Sequence, residues 1–224
     1  MFVVFESMLA PIQVRQLREV LLPEKFSDGA ATAHGDAKRV KRNLQFTTTH
    51  PNWAACAEVV IGAVNACQAL KQYALPIRLT QPLFNLYAEG MSYGKHTDSA
   101  MMSANGWPMR TDYSMTVFLS SPEEYEGGEL VFSAEGQAPT VAKLKAGAAV
   151  VYPSGTLHEV RPVTKGKRFA AVLWMQSALP SELQRNVVRE LDHVRDLLDQ
   201  NNVLDACDRL RLVRENLVRM FVQP

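Results

Sequence analysis

Residues 147–158 read Gly-Ala-Ala-Val-Val-Tyr-Pro-Ser-Gly-Thr-Leu-His, and this stretch combines a strand, a turn and a histidine. Ala149–Tyr152 is an apolar, β-branched run of the kind that favours a buried strand. Pro153 and Gly155 predict a tight turn, because proline presets a turn's backbone angle and glycine is permissive there. His158 then opens the next strand, so the turn would direct its imidazole back towards the mouth of a β-fold.

The region around this stretch, residues 76–178, is rich in short strands. Seven β-branched or aromatic runs alternate there with Gly, Pro, Asn and Ser: Leu79–Tyr87, Tyr113–Leu119, Leu130–Phe132, Thr140–Leu144, Ala149–Tyr152, His158–Arg161 and Arg168–Met175. Many short strands at close spacing are typical of an antiparallel sandwich or barrel. We therefore predict an α+β protein with a β core over 76–178, a mostly helical part over 1–75 and a helical extension over 179–224.

In the two parts that flank the β core, the spacing of apolar residues predicts helices. In the first part it predicts helices over 13–22 and 51–73. In the last part, apolar residues step by three or four from Leu183 to Leu198, and a second such run follows the break at Asn201-Asn202. This pattern predicts a helical hairpin, whose role would be packing against the sheet or contact between copies of the chain.

A second histidine lies in Tyr93-Gly-Lys-His-Thr-Asp98. On an extended chain, residues i and i+2 point to the same side, so His96 and Asp98 project together as two neighbouring metal ligands would. With His158 they have the composition of the 2-His-1-carboxylate triad, which binds Fe(II) and leaves coordination positions open. For His158 the alternative is a buried histidine that is bonded to the backbone.

Arg168 follows His158 by ten residues and opens the strand Arg-Phe-Ala-Ala-Val-Leu-Trp-Met. Apart from the arginine, both faces of this strand are apolar, which predicts burial on both sides. A buried guanidinium needs an anion, and its planar fork suits a carboxylate. The partner would be a carboxylate co-substrate or, alternatively, an internal salt bridge, for which Glu129 is a candidate.

Together these residues resemble the Fe(II)- and 2-oxoglutarate-dependent dioxygenases, most closely the prolyl-4-hydroxylase-like branch. In that branch a tyrosine precedes the His-x-Asp by about ten residues (here Tyr87), another lies three before it (Tyr93), and a tryptophan follows the arginine by six (Trp174). Within the branch, residues 85–90, 93–98, 126–130 and 152–160 are similar to bacterial PKHD-type hydroxylases, as are the chain length and the C-terminal helical extension.

The resemblance implies a double-stranded β-helix, or jelly roll, with N-terminal helices packed outside it and a C-terminal helical hairpin. It also implies that His96, Asp98 and His158 hold Fe(II), and that Arg168, aided by a tyrosine hydroxyl such as that of Tyr87, binds 2-oxoglutarate. The implied reaction hydroxylates a substrate with release of succinate and CO2, and L-ascorbate would keep the iron reduced. The substrate would be a small molecule or a peptide.

Two other functions are compatible with parts of the pattern. Residues 147–158 match most of the second cupin motif, which indicates a metal-dependent jelly-roll enzyme that does not use 2-oxoglutarate. Against it, Pro162 stands where that motif has asparagine, and His96-x-Asp98 stands where the first motif has His-x-His. The other alternative is a metal-free β-sandwich binding module, in which the two histidines and Asp98 would not converge.

Composition excludes several classes of protein. The chain has 224 residues, a net charge of +1, 47% hydrophobic and 21% charged residues, which argues against broad binding of nucleic acid or acidic membranes. It has no apolar run near the roughly 18 residues of a membrane span, and three scattered cysteines, so we expect a cytoplasmic protein. The basic residues Lys38, Arg39, Lys41 and Arg42 predict a solvated face or an anion contact rather than a nucleic-acid site.

Two segments are expected to contact binding partners, one of them the substrate and the other a second copy of the chain. Residues 101–110 follow the His-x-Asp directly and hold Met, Trp, Asn and Gly, so we expect them to border the substrate mouth, although a plain β-connection is the alternative. The C-terminal helices are the expected contact of a possible homo-oligomer.

Overall fold

The computed structural model describes residues 2–32 and 37–222. The helices in these ranges are α1 (Pro11–Val20), α2 (Ala37–Val40), α3 (Trp53–Ala66), α4 (Gln68–Ala74), α5 (Glu182–Gln200) and α6 (Leu204–Phe221). The strands are β1 (Val3–Phe5), β2 (Phe26–Asp28), β3 (Lys41–Arg42), β4 (Leu44–Phe46), β5 (Pro76–Leu79), β6 (Leu83–Tyr87), β7 (Ser92–His96), β8 (Met101–Ala104), β9 (Trp107–Arg110), β10 (Tyr113–Phe118), β11 (Tyr125–Gly127), β12 (Leu130–Ser133), β13 (Thr140–Ala142), β14 (Ala149–Pro153), β15 (Leu157–Val160), β16 (Val163–Gly166) and β17 (Arg168–Ser177).

The larger sheet has eight strands in the order β1-β14-β10-β17-β6-β4-β2, and β5 pairs with the far end of β17. All its pairings are antiparallel. β17 lies near the centre and is buried along almost its whole length, which confirms the strand predicted from its two apolar faces. Its alternate side chains separate cleanly, because Phe169 and Leu173 enter the main core while Arg168 and Trp174 line a cavity.

The smaller sheet has five antiparallel strands in the order β13-β12-β15-β7-β3. Residues of both sheets line one internal cavity, with Thr116 and Arg168 from the larger sheet and His96 and His158 from the smaller one. The fold is therefore a mixed α+β structure in which two antiparallel sheets enclose the cavity in a jelly-roll-like arrangement.

The N-terminal helices cover the other face of the larger sheet. Leu17 of α1, Val60 of α3 and Leu70 of α4 belong to the same buried core as Phe84 and Met115 of the sheet. The helix predicted over 51–73 is in fact two helices, α3 and α4, which meet at Cys67 in an extended conformation. The first 75 residues also supply the short strands β1 to β4, whose two or three residues are too few for a readable period.

The predicted C-terminal hairpin is confirmed. α5 and α6 meet at a turn over Asn201 and Asn202, where Asn202 has a φ of 59°. Arg185 anchors α5 to the core, since its guanidinium donates to the carbonyls of Leu179 and Pro180 and lies 3.3 Å from Asp112. In the described ranges, no single helix has both the length and the apolar character of a membrane span, and only the bent pair α3–α4 meets that test on length and composition.

Candidate active site

The two central histidines face each other across neighbouring strands. β15 pairs with β7 so that His158 lies directly opposite His96, with ring centroids 4.3 Å apart. The turn predicted before His158 is present, because the Thr156 backbone N–H donates to the Pro153 carbonyl at 2.9 Å. Both side chains are more than nine-tenths buried.

Asp98 completes the cluster. Its Oδ1 lies 3.9 Å from Nε2 of His96 and its Oδ2 lies 3.9 Å from Nε2 of His158. One ligand atom from each of the three residues lies within 4.8 Å of the others, which is close enough for a single metal ion. The three residues therefore converge, which contradicts the alternative of a metal-free binding module.

Backbone carbonyls fix the tautomers of both imidazoles. Nδ1 of His96 lies 2.7 Å from the Gly94 carbonyl, and Nδ1 of His158 lies 2.8 Å from the Thr156 carbonyl. A carbonyl only accepts, so each Nδ1 carries a proton and donates it. Nε2 of His96 faces Oδ1 of Asp98, whereas Nε2 of His158 lies 3.9 Å from Oδ2 of Asp98 and 3.3 Å from the hydroxyl of Tyr152. Burial, followed by the neighbouring charge of His158, lowers the pKa of His96 to about 4. His96 is therefore neutral at pH 7, as a metal ligand must be.

A hydroxyl pair, which was not among the predicted site residues, supports the carboxylate. Ser114 donates to Oδ2 of Asp98 at 2.5 Å, and its oxygen lies 2.9 Å from that of Ser154. The sequence does contain a signal for a polar site on this strand, because the polar residues Ser114 and Thr116 alternate with apolar ones in the buried strand β10.

Of the two alternatives for the basic cluster, a solvated face or an anion contact, the first is wrong for Lys41. Lys38, Arg39 and Arg42 are exposed, but Lys41 is buried and lines the same cavity as the histidines. Its Nζ lies 5.4 Å from the ring centroid of Tyr93, which stacks on His96. Burial lowers the pKa of Lys41 to about 8. The error arose because β3 has only two residues and shows no alternation in the sequence.

Arg168 lies in the same cavity, with 2% of its surface exposed. Among the described residues, its buried Nε and one buried Nη have no hydrogen-bond partner. Within the described ranges it forms no ion pair with Glu129 or any other carboxylate. Its guanidinium carbon lies 5.3 Å from the ring centroids of both Tyr87 and Phe118. Tyr87 is its cross-strand neighbour, and burial raises the pKa of this phenol to about 12.

A second, larger cavity opens from this one towards the surface. It measures about 420 Å³ and shares Lys41, Leu83, Tyr93, Asp98 and Trp174 with the inner cavity. Residues 101–110 form the hairpin β8–β9, and Met101, Met102 and Ser103 line this outer cavity. The segment expected to border the substrate mouth is therefore a β-hairpin that lines the outer cavity, and its contact with substrate stays a prediction.

The residues present fit an iron ion and an anionic co-substrate. Two imidazole nitrogens and one carboxylate form a donor set of the 2-His-1-carboxylate type. The guanidinium of Arg168 has no carboxylate partner within residues 2–32 and 37–222, and it calls for an anion in the same cavity, since a buried cation without a partner is costly. The cupin-like alternative provides no role for this arginine.

Comparison with known proteins agrees with this chemistry. The sequence model of the 2OG-Fe(II) oxygenase superfamily matches residues 82–176. A PKHD-type hydroxylase of Shewanella frigidimarina is 40% identical over 225 residues, which cover 99% of each chain.

Solved structures show the same fold at low identity. A prolyl-4-hydroxylase of Pseudomonas putida superposes with a TM-score of 0.53 at 19% identity, over 79% of this chain and 92% of its own. HygX of Streptomyces hygroscopicus, solved with nickel, 2-oxoglutarate and hygromycin B, has a TM-score of 0.50 at 13% identity, over 79% and 82% of the two chains. By its full-length similarity to curated relatives, the chain belongs to the PKHD-type hydroxylases and is a dioxygenase that uses Fe(II) and 2-oxoglutarate.

Proposed function

We propose that His96, Asp98 and His158 bind the Fe(II) and that Arg168 binds the distal carboxylate of 2-oxoglutarate. The observation that carries this assignment is the buried guanidinium of Arg168, which shares a cavity with the histidine and aspartate cluster. Two of its nitrogens have no hydrogen-bond partner in the part of the chain that the structure describes. When bound, the iron and the co-substrate supply the oxidising power for hydroxylation, with release of succinate and CO2.

The chain's own residues prepare the site for these groups. The Gly94 and Thr156 carbonyls orient the two imidazoles so that both Nε2 atoms face Asp98. The hydroxyl of Tyr152, 3.3 Å from Nε2 of His158, would turn away when that nitrogen binds the metal. The phenol of Tyr87 is protonated at neutral pH, as an ordinary phenol is, and burial raises its pKa further, to about 12. It can therefore donate a hydrogen bond to the carboxylate beside Arg168. Ascorbate is proposed as the reductant that keeps the iron ferrous.

The two sheets are proposed to form the double-stranded β-helix of this class. Its core would cover residues 76–178, with residues 1–75 as the remaining part of the catalytic domain and 179–224 as an extension. β3 and β4 support treating the N-terminal part as catalytic, since Lys41 and Gln45 line the inner cavity. For the extension, the exposed apolar residues Leu183, Leu204, Leu212 and Met220 support a contact between copies of the chain.

The substrate is proposed to enter through the outer cavity. Its lining combines hydrogen-bonding groups such as Thr80, Gln81 and Asn105 with apolar contacts from Met101 and Trp174. A volume of about 420 Å³ suits a small molecule or one side chain of a peptide. The two structural neighbours include a prolyl-4-hydroxylase and an enzyme with hygromycin B bound, so they support both substrate classes.

An anaerobic titration tests the assignment. Wild-type protein given Fe(II) and then 2-oxoglutarate should develop the weak visible charge-transfer band of an iron–2-oxoglutarate chelate. His96→Ala should abolish the band by removing a ligand, whereas Arg168→Ala should shift it to much higher 2-oxoglutarate concentrations. A wild-type protein that binds Fe(II) but develops no band with 2-oxoglutarate would favour the cupin-like alternative, and one that binds neither would contradict both.

A further inference from the structure

The two oxygens of Asp98 have different surroundings. Oδ2 accepts the short hydrogen bond from Ser114 at 2.5 Å, and no hydrogen bond of 3.5 Å or less to Oδ1 is found among the described residues. The carboxylate is 10% exposed and Ser114 is fully buried, so water does not compete strongly for this contact. Each oxygen lies 3.9 Å from one imidazole Nε2, Oδ1 from that of His96 and Oδ2 from that of His158, so the hydrogen bond from Ser114 to Oδ2 is what distinguishes them.

The direction of the hydroxyl hydrogen bonds follows from proton counting. A serine hydroxyl has one proton, and the 2.5 Å contact to a carboxylate, which only accepts when ionised, takes the proton of Ser114. The 2.9 Å contact between the two serine oxygens is then donated by Ser154. The hydrogen bonds thus run in one direction, from Ser154 to Ser114 to Asp98, and each bond strengthens the next.

Backbone hydrogen bonds hold these three residues in place independently of their side chains. The Asp98 N–H donates to the Ser154 carbonyl at 3.1 Å, and the Ser154 N–H donates to the Asp112 carbonyl at 3.1 Å. Ser114 lies in β10, where it pairs with Tyr152 of β14, just before Ser154. Asp98 itself follows the end of β7. The larger sheet therefore places both serines against a residue that the smaller sheet supplies.

We propose that Ser114, oriented by Ser154, is a positioning residue that restricts Asp98 to binding the metal through Oδ1 alone. This inference rests on the proposed function. A carboxylate that bound through both oxygens would take a fourth coordination position, whereas a facial triad must leave three open for co-substrate and oxygen. Engagement of Oδ2 by a strong, charge-assisted donor keeps that oxygen from the metal and fixes the plane of the carboxylate.

The test uses full-length protein and metal binding without turnover. Ser114→Ala should weaken Mn(II) binding about 10- to 100-fold, as is usual when a partner of a metal ligand is lost. The Co(II)-substituted variant should also show a changed visible spectrum, because its carboxylate can rotate. Ser154→Ala should change both readouts in the same direction but less. Ser114→Thr, which keeps the hydroxyl, should restore them.

Ser120→Ala is the matched control, because Ser120 is equally buried and hydrogen-bonded but its contacts are Lys167, Phe169 and Arg18. It should leave Mn(II) affinity and the Co(II) spectrum unchanged. If wild-type protein binds metal and both Ser114→Ala and Ser154→Ala bind it with unaltered affinity and spectra, the positioning role is wrong. Equal loss in Ser120→Ala would also overturn it. Wild-type protein that binds no metal would instead contradict the proposed function.

Discussion

Tyr93 and His96 stack face to face, with ring centroids 3.6 Å apart and planes 17° from parallel. Both residues belong to β7 and are three positions apart. Nζ of Lys41, on the neighbouring strand β3, lies 5.4 Å from the centroid of the tyrosine ring. The imidazole is thus fixed in three ways, by the aromatic face, by the Gly94 carbonyl and by burial.

Replacement of the tyrosine ring should therefore loosen a metal ligand. Tyr93→Ala removes the stacking surface, and we expect Fe(II) or Mn(II) binding to weaken by about 10-fold, the lower end of effects seen for residues that orient metal ligands. Tyr93→Phe keeps the ring and should bind metal with nearly wild-type affinity. Titration calorimetry under anaerobic conditions measures both. Equal weakening in the two variants would assign the effect to the hydroxyl instead of to stacking.

Arg168 should be important for co-substrate binding and unimportant for stability. Loss of a charged hydrogen-bond pair costs on the order of 2–5 kcal/mol, so Arg168→Met should weaken 2-oxoglutarate binding by about 30-fold or more. Because the guanidinium is buried without a carboxylate partner among the described residues, the same substitution should not lower the melting temperature of the metal-free protein.

Arg168→Lys separates charge from geometry. A lysine keeps the positive charge but lacks the planar fork, so its 2-oxoglutarate affinity should lie between those of the wild type and Arg168→Met. Binding is followed by the visible band of the Fe(II) complex, and stability by thermal unfolding. A marked fall in melting temperature for Arg168→Met would indicate that the arginine has a structural anion partner.

The ionisable residues of this site could be predicted from the sequence better than the other residues that line its cavity. His96, Asp98, His158 and Arg168 stood out because each is an ionisable residue in a region of sparse charge. The central strands were also predictable, since β10, β14 and β17 are long and buried. Lys41 was not predictable, because two- and three-residue strands contain too little of the period to be read.

Pairing between distant segments explains the remaining errors. The run Leu79–Tyr87 contains only the last residue of β5 and the whole of β6, because the chain leaves the sheet over residues 80–82, where Pro82 cannot donate a ladder hydrogen bond. β5 and β6 then pair with different portions of β17. Residues 101–110 become a hairpin although they lack alternating hydrophobicity, since Asn105 and Gly106 adopt the positive φ angles of a tight turn. The approach of Ser114 to Asp98 depends on contact between two sheets, which no local pattern records.

Acid should destabilise the metal-free protein through His96. Its pKa in the folded state is about 4, below the value of about 6.5 expected when the chain is unfolded. Between these values the unfolded state binds more protons, so the free energy of unfolding should fall as the pH decreases from about 6.5 to about 4. Urea unfolding at a series of pH values measures this slope. His96→Gln should flatten it, and an identical slope in that variant would exclude His96 as its source.

Asp112 should be a major contributor to stability, because it joins the base of the β8–β9 hairpin to helix α5. Its side chain is 5% exposed and accepts two hydrogen bonds from Arg110, at 2.8 and 2.9 Å, and one from the Ser177 backbone. Arg185, itself 6% exposed, lies 3.3 Å away. Asp112→Asn removes the charge that both arginines share, and breaking a buried pair in this way costs about 3–5 kcal/mol.

The matched control is Asp208→Asn, which breaks the exposed pair with Arg211 in α6. Exposed pairs contribute about 0–1 kcal/mol, so this variant should unfold at nearly the wild-type denaturant concentration. Asp112→Asn should shift the midpoint strongly while leaving metal affinity unchanged in the fraction that is folded, because none of its side-chain partners is a proposed metal ligand. Similar midpoints for the two variants would show that Asp112 does not hold α5 and the hairpin to the core.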